Sequence, residues 1–130
     1  MSENLDLVRS IISAHERGDY ANAEWADPDI EYVIADGPDA GIWRGRTGMA
    51  KAWRDVLSAY DNYQTIHDEV RELDGDRVLV LGSYSARGKA TGLSMSGMNA
   101  ALWQIRDGRV VRHVIYFDRA NALADLGLTE

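Results

Sequence analysis

The chain has 130 residues, 45% of them hydrophobic, which is enough for residues 1–130 to form a single domain around a buried core. Its 21 acidic and 14 basic side chains give a net charge of −7, which argues against binding to nucleic acid or to anionic membranes. The absence of cysteine excludes disulfides and thiolate chemistry, and without a long apolar run or a signal peptide we expect a cytoplasmic protein.

The first part of the chain predicts helices. Apolar residues recur every three or four positions from Leu5 to His15, which places them on one face of a helix over residues 4–17. A second short helix is predicted from Tyr20 to Trp25, and Pro28 is expected to end it.

A short strand and a third helix are predicted next. The segment DIEYVI, residues 29–34, has the composition of a strand. A further helical stripe runs from Met49 to Tyr60, and Thr47 is its predicted N-cap.

The second half of the chain predicts an antiparallel meander. Asp107-Gly108 stands between two β-rich runs and favours a type I′ turn, because both central residues must take positive φ. Residues 99–106 should therefore pair with residues 109–117. Further turns are predicted at residues 74–76 and 88–92, so four strands follow the helices in an α+β order.

Three segments together carry a family resemblance. They are LVRSIISAHERGDYANAEWADPDIEY, WRGRTGMAKAW and WQIRDGRVVRHVIYFDRANALADLGL. In this order they resemble the SnoaL-like branch of the nuclear-transport-factor-2-like, or ketosteroid isomerase-like, superfamily. The resemblance implies the cystatin-like cone, in which a strongly curved, mostly antiparallel sheet wraps around N-terminal helices and an apolar cavity. It also implies a homodimer through the outer sheet face, but no single reaction, because the superfamily includes both enzymes and binding proteins.

The resemblance also shows which catalytic acids are replaced. The general-base aspartate of steroid isomerases falls near Ile34, and their oxyanion-hole aspartate falls near Ala101. The catalytic aspartate of polyketide cyclases and limonene epoxide hydrolase falls at Ile115. Since apolar side chains cannot move a proton, the resemblance favours a hydrophobic pocket over these reactions.

The predicted pocket residues follow from strand alternation, because residues two apart share a face of the sheet. The residues expected to face the cavity from three strands are Tyr32, Ile34, Asn99, Ala101, Trp103, His113, Ile115 and Phe117. His15 can reach the same cavity from the first helix, and Trp53 can line its mouth. Apolar walls with a few polar groups are typical of a site for a small apolar or aromatic, oxygen-bearing molecule.

His113 is the main catalytic candidate, because an imidazole can act as a general base where no carboxylate is available. The alternative is a packed, hydrogen-bonded core histidine. His15 has the same two interpretations, and His67 is expected on a solvated or dimer face. Without an acidic partner at ligand spacing, the three histidines predict no metal site, and no cofactor is expected.

Three aspartates near the predicted pocket are open to a structural or a functional interpretation. Asp118 has the opposite parity to His113 and precedes a helix, so it is predicted to be an N-cap. Asp36 and Asp39 lie in a Gly-Pro loop, where they either form a solvated turn or bend back to pair with His113.

Three functional hypotheses remain open, and the sequence does not decide whether the chain is an enzyme. In the first, a lyase, isomerase or cyclase uses His113 to move a proton, while Tyr32 and Asn99 polarise a carbonyl or hold a water. The alternative is a non-catalytic ligand-binding or accessory dimeric domain, consistent with Ile34, Ala101 and Ile115. The third is a structural domain with a vestigial cavity.

Overall fold

The computed structural model describes residues 2–19, 22–37 and 39–128, which form three helices and a six-stranded mixed sheet. The elements are α1 (Glu3–Glu16), β1 (Ala26–Ile34), β2 (Gly41–Arg44), α2 (Gly45–Ala59), β3 (Tyr60–Glu72), β4 (Arg77–Gly88), β5 (Ser94–Arg106), β6 (Arg109–Tyr116) and α3 (Arg119–Leu126). The strand order is β2-β1-β6-β5-β4-β3, in which only the β1–β6 pair among these strands is parallel. The predicted α+β cone is confirmed.

Helix α1 is confirmed within one residue at each end. Ser2 caps it, since its hydroxyl oxygen accepts a hydrogen bond from the Leu5 amide at 3.2 Å. Gly18, at φ 80°, follows the C-terminus in the left-handed conformation that glycine adopts without strain. The buried face of α1, which includes Val8 and Ile12, packs into the concave side of the sheet.

The predicted second helix is wrong for residues 22–25, and Tyr20 lies outside the described residues. The side chain of Asn22 instead accepts the Glu24 amide at 2.9 Å, and the indole of Trp25 donates to the Asn22 carbonyl at 2.9 Å. This Asx turn competes with helix formation. It leads directly into β1, which begins at Ala26.

Strand β1 is longer than predicted because it includes Pro28. Its pairing with β6 shifts between Ala26 and Glu31, and Pro28 lies in this irregular stretch, where its missing N–H is tolerated. Strand β2, which was not predicted, pairs with the end of β1. The predicted Thr47 cap is wrong, because α2 begins at Gly45 and has no side-chain cap.

The four-stranded meander is confirmed. Asp107 and Gly108 take φ values of 53° and 75°, the positive pair that a type I′ turn requires. The turns at residues 74–76 and 88–92 separate the strands as predicted, although β5 already begins at Ser94.

A bulge in β3 shapes the sheet beside the cavity. His67 is paired with Gly82, whereas Glu69 is paired with the preceding residue of β4, so Asp68 is an extra residue. A Cβ on Gly82 would collide with the carbonyl oxygen of Ile66. Glycine therefore permits the close approach of the two strands at the bulge.

The sheet has a hydrophobic core on each face. Helices α1 and α2 cover the concave face, and α3 covers a second cluster built on residues such as Leu79, Leu102 and Val114. Asp118 is the N-cap of α3 as predicted, accepting from the Ala120 amide at 3.0 Å. In the part of the chain that the structure describes, every helix is too short or too polar to cross a lipid bilayer.

Candidate functional site

A cavity of about 110 Å³ lies between the concave face of the sheet and helices α1 and α2. Its walls are mainly aliphatic and aromatic, with a few polar groups. The residues that line it are Ile12, His15, Tyr32, Ile34, Trp53, Val56, Leu57, Tyr63, Thr65, His67, Val80, Asn99, Ala100, Ala101, Trp103, His113, Ile115 and Phe117.

Two cross-strand rows form the sheet side of this cavity. In the first, His113 on β6 lies between Tyr32 on β1 and Trp103 on β5. In the second, Ile115 lies between Ile34 and Ala101. Ile34, Ile115 and Ala101 are therefore neighbours in space, and together they form an apolar patch next to the aromatic row.

Aromatic contacts fix the orientation of His113. Its ring stacks on Trp103 with centroids 3.6 Å apart and planes 20° apart, while Tyr32 meets it edge-on at 5.4 Å. Trp53 meets Tyr32 edge-on at 6.1 Å and His15 at 5.1 Å. These rings form one continuous cluster from the sheet to both helices.

His113 is 3% exposed, and among the described residues neither of its ring nitrogens has a hydrogen-bond partner. The same holds for Nε1 of Trp103, stacked against it. Burial, reinforced by repulsion from His15 and His67, holds the pKa of His113 well below its ordinary value of 6.5. The ring is therefore neutral near pH 7, with one donor nitrogen and one acceptor nitrogen. His113 is thus packed in the core, as one interpretation of the sequence expected, and no described residue hydrogen-bonds its ring.

The loop after β1 does not supply a carboxylate to His113. Asp36 instead accepts the backbone amides of Phe117 and Asp118 at 2.7 and 3.2 Å, and the side chain of Asn121 donates to it at 2.9 Å. Asp39 is exposed. The proposed pairing of either aspartate with His113 is therefore wrong, and Asp36 fastens the loop to the end of β6.

The other two histidines reach the same cavity. Burial, followed by repulsion from His67, lowers the pKa of His15 to about 4. His67 was expected on a solvated or dimer face, and this is wrong, because its ring lines the cavity. Its Nδ1 lies 3.0 Å from Oε2 of Glu16 at the end of α1.

All ten residues predicted for the site lie in the cavity wall, and their binding or catalytic roles stay predictions. Trp43 and Tyr60 do not line it. The most consequential omission is β3, which contributes Tyr63, Thr65 and His67. The alternation of half-buried and exposed residues along β3 is the signal that places these three on one face.

The described residues contain no group of three or more histidine, aspartate or glutamate side chains arranged to hold a metal ion. His15, His67 and His113 share the cavity. The Glu16 carboxylate is bonded to His67. The imidazoles of these three histidines can donate and accept hydrogen bonds in the cavity.

Comparison with solved structures shows the same fold in proteins of similar length. An NTF2-like protein of unknown function from Burkholderia pseudomallei is 26% identical, with a TM-score of 0.81 over 95% of this chain and 97% of that one. An NTF2-like protein from Burkholderia thailandensis is 24% identical, with a TM-score of 0.82 over 97% and 98%. TerC, co-crystallised with polyporic acid, is 23% identical, with a TM-score of 0.77 over 96% and 98%.

None of the curated proteins compared with the chain gives a significant match. The model of the SnoaL-like domain family, in contrast, matches residues 8–113, which include most of α1, every element from β1 to β5 and the first part of β6. The resemblance inferred from the three sequence segments is therefore confirmed, and the chain belongs to the SnoaL-like domain family.

Proposed function

We propose that the cavity binds a small, planar, mainly apolar molecule that carries at least one oxygen atom. The observation that carries this proposal is the set of buried polar atoms at the sheet side, namely both ring nitrogens of His113 and Nε1 of Trp103. A buried polar group without a partner costs about 1–3 kcal/mol. A ligand oxygen that engages these atoms would recover part of that cost as binding free energy.

Neutral His113 suits recognition better than proton transfer. Because burial lowers its pKa, its conjugate acid is strongly disfavoured, and no carboxylate among the described residues is bonded to the ring. A neutral imidazole donates one hydrogen bond and accepts another, which matches a carbonyl or hydroxyl group. The Ile34, Ala101 and Ile115 patch beside it favours an apolar ring or chain.

The size of the cavity favours a compact ligand. Its volume of about 110 Å³ is of the order of the ~150 Å³ engineered cavity that holds benzene. The aromatic walls, including Trp53 and Phe117, suit stacking on a flat molecule. TerC, a protein of the same fold, was co-crystallised with polyporic acid, which supports a small organic ligand for this cavity.

A homodimer through the outer sheet face and a cytoplasmic location complete the proposal. Ile66 and Met98 are 60% and 58% exposed on the groove formed by β3, β4 and β5, and an apolar surface of this kind favours association. Light scattering of the wild type should give twice the mass of one chain, and Met98→Glu should reduce the measured mass to that of a single chain. An unchanged monomeric mass for the wild type would contradict the dimer.

A matched pair of ligands tests the recognition of oxygen. 1-Indanone and indane have the same fused rings and differ by one carbonyl group. Titration calorimetry of the wild type should show at least about tenfold tighter binding of 1-indanone, because a ligand hydrogen bond to an otherwise unpaired buried group is worth about 1.4 kcal/mol or more. His113→Phe should remove this preference, whereas Tyr60→Phe, outside the cavity, should retain it. Equal binding of both ligands to the wild type would contradict recognition by His113.

A further inference from the structure

Glu16 and His67 form a second polar feature of the cavity, separate from the His113 row. Oε2 of Glu16 lies 3.0 Å from Nδ1 of His67 and also accepts the backbone amide of His67 at 3.3 Å. The pair joins the last residue of α1 to the bulge of β3. The His67 side chain is 13% exposed, and His67 lines the cavity, whereas Glu16 is 42% exposed and lies outside the residues that line it.

We propose that Glu16 and His67 form a general-base dyad that removes a weakly acidic proton from the molecule bound in this cavity. The proposal rests on the proposed small-molecule site. His67 would be the catalytic residue, and Glu16 would be the positioning residue that holds its ring.

The geometry leaves one nitrogen of His67 for a ligand. Since a carboxylate only accepts hydrogen bonds when ionised, Nδ1 carries the proton directed at Glu16, and Nε2 keeps its lone pair. Within the described residues, no hydrogen bond to Nε2 is present. A carboxylate that fixes the tautomer and orientation of an imidazole is the arrangement that general-base catalysis uses.

The electrostatic surroundings distinguish His67 from the other two histidines. His15 on α1 and His113 on β6 are the titratable groups that interact with it across the cavity, and burial lowers the pKa of both. His67 has the Glu16 carboxylate 3.0 Å from its Nδ1, whereas among the described residues no hydrogen bond reaches the ring of His113. The hydrogen bond from His67 lowers the pKa of Glu16, which keeps that carboxylate charged near pH 7.

The proposed step is balanced within the site. A C–H bond of the bound molecule breaks, its proton moves to Nε2 of His67, and its electron pair is delocalised onto an oxygen of the same molecule. The indole N–H of Trp103 and the N–H of neutral His113 are the donors on the sheet side that can stabilise this oxygen. Return of the proton from Nε2 to another atom of the molecule would complete an isomerisation.

Base-promoted ring opening of 5-nitrobenzisoxazole tests the dyad without knowledge of the natural ligand. A base removes the proton on carbon 3, the C–H electrons form the nitrile, and the N–O bond breaks with its electron pair on a coloured phenolate. The probe is planar and aromatic, as the cavity requires. General-base catalysis contributes about 10²–10⁴-fold, so His67→Gln should lower kcat/KM by about 10²-fold or more.

The positioning role of Glu16 has its own readout. Glu16→Gln should lower kcat and leave KM unchanged, because a neutral amide no longer fixes the tautomer and orientation of the His67 ring, and Glu16→Asp should restore part of the rate. Glu69 is an exposed acid on β3, the strand that carries His67, so Glu69→Gln should leave kcat and KM unchanged. A rise in KM with an unchanged kcat in Glu16→Gln would overturn the positioning role.

Binding and catalysis are measured separately, so that the two proposals can fail separately. Binding of 1-indanone with no acceleration of the 5-nitrobenzisoxazole reaction above that of an equal concentration of free imidazole would overturn the dyad and leave the binding site standing. Loss of rate in His113→Gln, but not in folded His67→Gln, would also overturn the dyad. Absence of binding by either compound would contradict the site and the dyad together.

Discussion

His113→Phe is expected to stabilise the unliganded protein while weakening its affinity for ligands. Phenylalanine keeps an aromatic ring against Trp103, 3.6 Å away, and removes two buried nitrogens that lack partners among the described residues. Removing an unpaired buried polar group is favourable, whereas removing one partner of a hydrogen bond is costly. The sign of the stability change therefore reports whether His113 is bonded within the protein.

The magnitude follows from the cost of unpaired groups. Each unpaired buried polar group costs about 1–3 kcal/mol of stability. The phenyl ring is larger than the imidazole, so overpacking cancels part of the gain from removing the nitrogens. The adjacent cavity of about 110 Å³ can accept some of the extra volume. We expect the free energy of unfolding to rise by about 1 kcal/mol. For a chain of this length, the melting temperature should rise by about 3–5 °C.

Urea unfolding of the wild type and His113→Phe, each followed by tryptophan fluorescence, measures this difference directly. His113→Ala is the companion variant, because it also removes the nitrogens but loses the ring contacts, and it should be destabilised. A loss of about 2 kcal/mol or more in His113→Phe would mean that the imidazole makes a strong bond in the folded protein, and it would refute the reasoning.

The remaining predictions concern pH and three structural contacts. The folded-state pKa of His15 is about 4, and that of His113 is also below the ordinary 6.5, so both rings contribute their full stabilisation above pH 6.5. The unfolding free energy, measured at several pH values, should therefore fall as the pH is lowered from about 6.5 to 4. A flat profile would contradict the burial of the two histidines as neutral rings. Asp36→Ala should cost about 2 kcal/mol in a urea titration because three hydrogen bonds are lost, whereas the change for Asp39→Ala should stay within about 0.5 kcal/mol. Burial and the bond to Asp125 raise the pKa of Tyr116 to about 12, so its phenol stays a neutral donor at pH 7, and Tyr116→Phe should cost about 1 kcal/mol by the same assay. Gly82→Ala should cost about 3 kcal/mol because its Cβ would meet the Ile66 carbonyl oxygen, and a wild-type melting temperature would contradict the close approach of β3 and β4.

Local patterns in the sequence predicted most of the fold. The Asp107-Gly108 turn pairs Ile105 with Val110, and an irregularity between Gln104 and Ile105 then shifts the β5–β6 register by one residue. This shift places His113 beside Trp103. The parallel pairing of β1 with β6 then brings Tyr32 and Ile34 to the same face. Alternation along each strand selected residues that share a face, whereas the shift that brings the β5 and β6 sets together was carried by the family resemblance and not by the turn.

One local turn and several tertiary contacts were not predicted in this way. The helix expected before Trp25 gave way to an Asx turn at Asn22, because a local side-chain bond competes with the helix. The bulge in β3 and the packing of α1 against this strand bring Glu16 to His67 across 51 positions of the sequence. No periodicity reveals this pair, and none gives the volume of the cavity.

The most direct test of the binding site is the nuclear magnetic resonance spectrum of the four tryptophan indole N–H groups during titration with 1-indanone. The resonance of Trp103, identified by its loss in Trp103→Phe, should shift strongly as the ligand oxygen engages Nε1. Trp43, which does not line the cavity, should change little. If all four resonances stay in place at millimolar ligand, or if Trp43 shifts while Trp103 does not, the cavity is not the binding site proposed for it.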